Sequence, residues 1–157
     1  MIHPHPKGWG FLTLGNINMK QMTNKIYRYF ISGHRNITGE EFNCNYAPIL
    51  KDIVENNFSG SIRFIVGDYY GVDIMAQHYL IDELNFPPER ICVYHMFDKP
   101  RNIHPLIENR VGGFSSDEER DAAMTRDSDF DIAFVRDHNN WSGTGANILR
   151  RCLLKTN

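Results

Sequence analysis

From Ile26 onward, the sequence alternates between short β-branched or aromatic segments and segments with apolar residues at helical spacing. Four of the short segments are predicted to be strands, at 26–31, 62–66, 91–97 and 132–135. Strands separated by helices need crossover connections, so they should pair in parallel with right-handed crossovers. The pattern therefore predicts an α/β fold: a single Rossmann-like domain with a mostly parallel sheet and helices on both faces.

Capping signals mark the helices between these strands. Thr38, with Glu41 three residues later, forms a capping-box pattern ahead of apolar residues at helical spacing, and this helix is expected to end near Asn56. Another helix is predicted at 117–126, after two serines and with acidic residues in its first turn. A last helix is expected over 143–154.

Two segments lie outside this alternation. Residues 1–25 lack a regular apolar pattern, so we expect a flexible N-terminal arm ahead of a domain at 26–157. His3 and His5 in this arm have no neighbouring carboxylate or cysteine, so no metal is predicted. Segment 98–116 is longer than most connections in compact domains, which predicts either a lid or binding loop or a loose insertion.

The charge and cysteine content limit the classes of function. A formal net charge of −2 argues against broad attraction to nucleic acid or to an anionic membrane. No apolar run has the length of a membrane span, and the N-terminus has no signal-peptide pattern. Cys44, Cys92 and Cys152 are widely spaced, which predicts reduced and mostly buried thiols. We therefore expect a cytoplasmic protein with neither a membrane nor nucleic acid as its partner.

Turns that contain glycine follow the first two predicted strands and open the last helix. Glycine lets backbone amides approach a ligand closely, and the N–H groups at a helix N-terminus favour phosphate. No turn has the glycine spacing of the dinucleotide fingerprint or the ending of the phosphate loop, so NAD binding and triphosphatase activity are disfavoured and no cofactor is predicted. The turns supply these candidate ligand-binding residues: Ser32, Gly33, His34, Arg35, Gly67, Asp68, Gly71, Val72, Asp73, Ser142, Gly143 and Thr144.

Several charged side chains near the turns have two possible roles. Asp73 in the first turn of a helix either complements the helix dipole or contacts the ligand. Arg120 either holds a phosphate in a bidentate fork or pairs with a neighbouring acid. Other carboxylates either line the same pocket or cap helices, namely Asp68, Asp121 and Asp137.

Aromatic residues and histidines are left with similar alternatives. Three aromatic residues lie in turns and either stack on a base or cover the core, namely Tyr69, Tyr70 and Trp141. His34 lies between Gly33 and Arg35 and is the best-placed histidine for ligand contact. His78 and His95 fall in a predicted helix and strand, so we expect them to be packing residues.

Four segments, 32–35, 66–76, 119–124 and 142–145, together resemble the SLOG superfamily of DprA-like and LOG-like Rossmannoid domains. The resemblance covers about 26–154 and is strongest to the small stand-alone branch that resembles YspA. It implies a domain that binds nucleotides, nucleotide-derived signals or nucleic acid, and it suggests a homodimer. LOG enzymes of this superfamily release a free base from a nucleoside monophosphate by cleaving its N-glycosidic bond.

On this resemblance, Arg120 corresponds to the arginine of the LOG Arg-Lys pair, and Gly143 and Thr144 correspond to the late Gly-Thr. The sequence departs from the pattern at Asp121, which replaces the lysine, and at Asn147, which replaces a glutamate. Cleavage of an N-glycosidic bond normally uses a carboxylate, and an amide cannot supply its charge. The weak catalytic candidates are therefore Arg120, Asp121 and Asp73, and both Arg120 and Asn147 are added to the candidate ligand-binding residues.

Two classes of function follow. We prefer a binding module that senses or sequesters a nucleotide or an ADP-ribose-like signal. The alternative is a nucleoside or nucleotide N-glycosidase or base-exchange enzyme of LOG or deoxyribosyltransferase type, with Arg120 and an aspartate in its site. DNA binding of the DprA kind has little support, because no basic stripe with interleaved aromatics is present. A homodimer contact could use Phe42, Tyr46 and Phe58, which are equally suited to the core.

Overall fold

The computed structural model describes residues 25–136 and 142–156. Five strands form one sheet: β1 Tyr27–Ser32, β2 Ile62–Gly67, β3 Ile91–Met96, β4 Arg110–Phe114 and β5 Phe130–Ala133. Their order is β4-β3-β2-β1-β5, and every neighbouring pair is parallel. The predicted α/β class is therefore confirmed, whereas the predicted arm, apart from Lys25, lies outside the described residues.

Among the described residues, α1 Gly39–Asn45 and α2 Ala47–Asn56 lie between β1 and β2, α3 Val72–His78 lies between β2 and β3, α4 Asp117–Asp127 lies between β4 and β5, and α5 Gly143–Lys155 follows β5. A π-helical turn at Tyr79–Glu83 continues α3, and short 3₁₀ turns at Ser59–Ser61 and Pro88–Arg90 precede β2 and β3. No helix among the described residues is long and apolar enough to cross a membrane.

The capping box at the start of α1 is present as predicted. The Thr38 hydroxyl accepts a hydrogen bond from the Glu41 N–H at 3.1 Å, and the Glu41 carboxylate accepts one from the Thr38 N–H at 3.0 Å. The single helix expected from there to Asn56 is instead divided into α1 and α2 at Tyr46. Pro48 explains the break, because in a continuous helix it has no N–H to donate to the Cys44 carbonyl and its ring would clash with that carbonyl.

The core lies on both faces of the sheet. On one face, α1, α2 and α3 cover a large apolar cluster that includes Ile31, Phe64 and Val93. On the opposite face, Ala123 and Met124 of α4 pack on a smaller cluster from alternate strand positions, namely Phe30, Ile65 and Tyr94. Helices therefore cover both faces, as the strand-helix alternation predicted.

Tyr46 belongs to this core and joins two strand ends. Its hydroxyl donates to the Ser32 carbonyl at 2.8 Å and accepts from the Phe134 N–H at 3.0 Å. Burial raises the pKa of Tyr46 to about 12. Because Phe42 is also buried, Phe58 is the one exposed member of the set considered for a dimer contact.

The predicted loop 98–116 is the main correction to the fold. It contains β4, which pairs with β3 through Val93 and Arg110 and again through Met96 and Phe114. An edge strand that is exposed along most of its length and carries a Gly-Gly pair has neither the alternation nor the propensity of a typical strand. The segment that connects β3 to β4 is therefore shorter than the loop 98–116 that the sequence predicted.

Three side-chain expectations also need correction or qualification. The cysteines are free, as expected, but Cys44 and Cys152 are exposed and Cys92 is half-buried, so the prediction of mostly buried thiols is wrong. His95 is buried, as expected for a packing residue, whereas His78 is exposed. The exposure of His78 follows from its position on the outer side of α3, where it pairs with Asp82.

Candidate functional site

A cavity of about 380 Å³ opens at the carboxyl ends of the central strands, beside the N-terminus of α5. The chain proceeds from β1 through β2 and β3 to β4 on one side and returns to β5 on the other, so β1 is next to the point where the strand order reverses. Ligands of open parallel sheets bind at such points. The lining residues are Phe30, Ser32, Gly33, His34, Arg35, Asn36, Tyr69, Tyr70, Asp73, Arg120, Asp121, Met124, Ser142, Gly143, Thr144 and Asn147.

The structure brings most of the predicted site residues to this cavity and leaves four of them behind its wall: Gly67, Asp68, Gly71 and Val72. Gly71 has a φ of +83°, and a Cβ there would lie 2.5 Å from the carbonyl oxygens of His34 and Arg35. The Val72 N–H also donates to the His34 carbonyl at 3.3 Å. These residues therefore hold the turns after β1 and β2 together. Asp137 and Trp141 lie outside the described residues.

The first turn of α5 forms one wall of the cavity. Ser142 is its N-cap, because the Ser142 hydroxyl accepts from the Gly145 N–H at 3.0 Å. A Cβ added to Gly143 would meet no heavy atom of the described residues within 4 Å. Thr144 is buried, and among the described residues no group makes a hydrogen bond to its hydroxyl. The hydroxyl of Ser32, which also lines the cavity, is buried and has no hydrogen-bond partner within the described part of the chain. Two hydroxyl groups therefore lie at the cavity with unused hydrogen-bonding capacity.

Arg120 is buried beneath the cavity and is surrounded by carboxylates. Its Nη1 lies 2.7 Å from Asp68 Oδ1 and 3.1 Å from Asp117 Oδ1, and its Nη2 lies 2.8 Å from Asp121 Oδ1. Its Nε also donates to Asp121 at 3.1 Å. Of the two roles that the sequence left open for Arg120, the structure contains the ion pair. A guanidinium used in this way neutralises buried acids and holds them in place.

Asp68 fixes the connection that follows β3. Its carboxylate accepts from the Arg101 backbone N–H at 2.9 Å, from Arg101 Nε at 3.1 Å and from Arg101 Nη2 at 2.7 Å. Burial acts to raise the pKa of Asp68, but the hydrogen bonds from Arg101 and Arg120 outweigh it and lower that pKa. The Asp68 carbonyl also accepts from Asn102 Nδ2 at 3.0 Å. The start of the segment predicted as a lid or a loose insertion is therefore tied to the end of β2.

Among the carboxyl groups that line the cavity, Asp73 has the pKa that departs most from its ordinary value. It is buried at the start of α3, and its Oδ2 accepts from the Tyr69 N–H at 3.0 Å. Burial raises the pKa of Asp73 to about 7, with Arg120 opposing the change and Asp121 and Asp68 adding to it. A carboxyl that exchanges a proton near neutral pH beside a cavity is a candidate acid or base.

Two tyrosines form the rim of the cavity. The rings of Tyr69 and Tyr70 are 4.6 Å apart, and Tyr70 is about half exposed. Arg101 lies over the Tyr69 ring at 4.5 Å, and Arg35 Nη1 donates to the Tyr69 hydroxyl at 3.3 Å. Both rings are therefore at the cavity mouth instead of in the core, where a planar ligand could contact them.

Sequence reasoning missed three lining residues. Phe30 precedes Ser32 by two positions in β1, so strand alternation could have placed it on the same face. Met124 follows Arg120 by four positions in α4 and shares its helix face. Asn36 had no comparable signal, because its position depends on a long-range hydrogen bond of 3.0 Å from Arg136 Nη1.

A separate histidine cluster lies outside this cavity. His78 Nδ1 and His104 Nε2 are 2.8 and 2.9 Å from the two carboxylate oxygens of Asp82, and this is the one candidate metal-binding group found within the described residues. The Leu106 N–H donates to His104 Nδ1 at 3.1 Å, so the ring hydrogen is on Nε2 and points to Asp82. As described, the cluster is a hydrogen-bond network centred on the Asp82 carboxylate.

No protein-family model, characterised protein or solved structure matches the chain. The SLOG resemblance therefore stays a prediction, and the functional argument depends on the residues of the cavity.

Proposed function

We propose that the protein binds a nucleotide or a nucleotide-derived ligand, such as an ADP-ribose-like signal, and senses or sequesters it. The observation that carries this proposal is the composition of the cavity, which combines a helix N-terminus with unpartnered hydroxyls, buried oxygen acceptors and two rim tyrosines. Its volume of about 380 Å³ is in the range of small-molecule sites. A cytoplasmic location and a homodimer belong to the same proposal, the first from composition and the second from the SLOG resemblance.

The N-terminus of α5 supports a phosphate subsite. The first N–H groups of a helix have no intrahelical acceptor, and together with the helix dipole they attract an anion. Ser142 caps the Gly145 N–H, which leaves the amides of Gly143 and Thr144 and the Thr144 hydroxyl for a ligand. Because the Gly143 position has open space, a phosphate oxygen could approach the backbone closely there.

Other residues that line the cavity support contacts to a sugar and a base. Asp73 and Asp121 supply carboxylate oxygens, which suit the hydroxyl groups of a ribose. Asn147 of α5 is held between Asp121 and Arg150 by hydrogen bonds of 3.2 and 2.6 Å, so its amide connects α5 to Asp121 of α4. Tyr69 and Tyr70 at the mouth would stack on a base.

A thermal-shift screen tests the proposal. AMP, deoxynucleotides, cyclic nucleotides and ADP-ribose should be compared with inorganic phosphate as the simplest anion. A ligand that binds only the folded state stabilises it by about 2.7 kcal/mol at a hundred times its dissociation constant. We expect at least one nucleotide to raise the melting temperature well above the effect of phosphate. Equal effects of phosphate and all nucleotides would contradict a nucleotide site.

One observation favours the alternative function, cleavage or exchange at an N-glycosidic bond. Because its pKa is about 7, the carboxyl of Asp73 could protonate a leaving base. Asn147, which replaces the glutamate of the LOG pattern, could not do so. Incubation with nucleoside monophosphates, followed by chromatography of the free base, distinguishes the two functions. Base release that is lost in Asp73→Asn would identify an enzyme, whereas binding without base release would identify a binding module.

A further inference from the structure

Three arginines form a row at the amino ends of the strands, at the opposite end of the sheet from the cavity described above. Arg28 of β1 pairs in register with Arg63 of β2. Because Phe64 pairs with Ile91, Arg90 lies beside Arg63 at the entry to β3. These three residues, here called the arginine row, line a second cavity of about 400 Å³ together with Arg110.

The Arg28 backbone N–H donates to the Asp129 carboxylate at 2.8 Å, but the guanidinium groups of the arginine row are in no ion pair among the described residues. Within 25–136 and 142–156, Arg110 forms no ion pair either. Arg63 Nη1 donates to the backbone carbonyls of Gly60 and Ile62, and Arg90 Nη1 donates to Ser59 Oγ. The Nε of Arg90 is buried and has no acceptor among the residues that the structure describes. Guanidinium N–H groups therefore remain available at this cavity.

Two acids also line the cavity, Glu89 and Asp127. Asp127 is already engaged, because it accepts from the Tyr94 hydroxyl at 2.7 Å and pairs with Arg126 at 3.0 Å. Four arginines thus face two carboxylates at this cavity, and one of these, Asp127, already has other partners. The cavity is a local positive region in a chain with a formal net charge of −2.

Like charges at paired positions of neighbouring strands destabilise a sheet. Here burial and the charges of Arg90 and Arg28 lower the pKa of Arg63, which is a further sign of crowded positive charge. The guanidinium group stays charged in proteins, so the repulsion persists unless an anion is bound. A phosphate group matches the fork geometry of arginine.

We propose that this second cavity binds a small oligophosphate anion, independently of the nucleotide site. Neighbouring strands are about 4.8 Å apart, so the row spans about 10 Å, the scale of linked phosphate groups. A six-residue strand is about 20 Å long, so the two sites lie at separate ends of the sheet. The cavity's limited volume and the chain's negative charge favour a small ligand over nucleic acid.

Calorimetric titration with inorganic tripolyphosphate tests this proposal. The Arg28→Gln/Arg110→Gln double variant removes two exposed cavity charges while retaining the side-chain hydrogen bonds of Arg63 and Arg90. We expect its dissociation constant to rise by about tenfold or more, because each lost contact is a charge-assisted hydrogen bond. The matched control Lys51→Gln/Lys99→Gln removes two exposed charges elsewhere, and neither double variant should lower the melting temperature below that of the parent.

Each of four results with tripolyphosphate would overturn the proposal. The first is no binding of tripolyphosphate to the parent protein, and the second is equal affinity of the arginine variant and the parent. The third is an equal loss of affinity in the lysine control. The fourth is a loss of affinity in Gly143→Val, which would place the anion at α5. A single-stranded oligothymidylate that binds more tightly than tripolyphosphate through the same arginines would indicate nucleic acid instead of a small anion. The nucleotide proposal is tested independently of this one, because its test uses nucleotides and the Gly143→Val variant.

Discussion

At the residue scale, the carboxyl of Asp73 is buried beside other acids at the wall of the first cavity. Its pKa of about 7 exceeds the ordinary value of 3.8, so the folded protein retains a proton that the unfolded chain loses. Between about pH 4 and pH 7, the unfolded state therefore binds fewer protons than the folded state, and this group lowers the stability as the pH rises.

The variant Asp73→Asn removes this titration and should retain the acceptor for the Tyr69 N–H. We expect its free energy of unfolding, relative to the parent, to rise by about 2 kcal/mol between pH 5 and pH 7. Urea denaturation at both pH values measures the change, and Asp52→Asn on the exposed side of α2 is the control. A relative stability that stays constant or falls with pH would contradict the raised pKa.

Gly67 provides a second test at this scale. A Cβ at this position would lie 2.4 Å from Asp73 Oδ2 and 3.0 Å from Arg120 Cζ. We expect Gly67→Ala to lower the free energy of unfolding by about 1 to 3 kcal/mol, because the buried charged groups would have to move. Gly39→Ala is the matched control, since a Cβ there meets no atom within 4 Å. Equal stability of the two variants in urea denaturation would show that the packing around Gly67 is looser than described.

At the element scale, the first turn of α5 shows which of two hydroxyl side chains caps the helix, a point that the sequence could not decide. Either Ser142 or Thr144 could have capped a helix at this position. The Ser142 hydroxyl accepts from the Gly145 N–H, so the capping role belongs to Ser142. The Thr144 hydroxyl is therefore available for a ligand, and its removal should affect binding more than folding.

We predict that Thr144→Ala weakens nucleotide binding by roughly tens-fold, because one charge-assisted hydrogen bond contributes about 1.5 to 3 kcal/mol. Ser142→Ala should instead lower the stability by about 1 kcal/mol through loss of the cap. Melting temperature and dissociation constant should be measured on both variants. A lowered melting temperature with unchanged affinity in Thr144→Ala would remove this turn from the site.

At the scale of the whole molecule, strand alternation and turn chemistry predicted the sheet and the edge where the cavity lies. They could not predict β4, whose exposed Gly112 and Gly113 lack an apolar pattern and which is ordered by pairing with β3. The cluster around Arg120 was also beyond reach, because Asp68 and Arg120 are far apart in the chain and meet only after folding. Local patterns identify elements and turns, whereas buried charge networks depend on the packing between them.

Binding of a nucleotide at the N-terminus of α5 is the central claim, and a paired glycine experiment tests it most directly. Gly143 and Gly39 are each the first residue of a helix, and each has open space where a Cβ would be. The dissociation constant of the best nucleotide from the thermal-shift screen should be measured by calorimetry for Gly143→Val and Gly39→Val. We predict a loss of at least about tenfold in affinity for Gly143→Val, because its side chain blocks the backbone amides, and no loss for Gly39→Val. Equal affinity of the two variants would contradict the account.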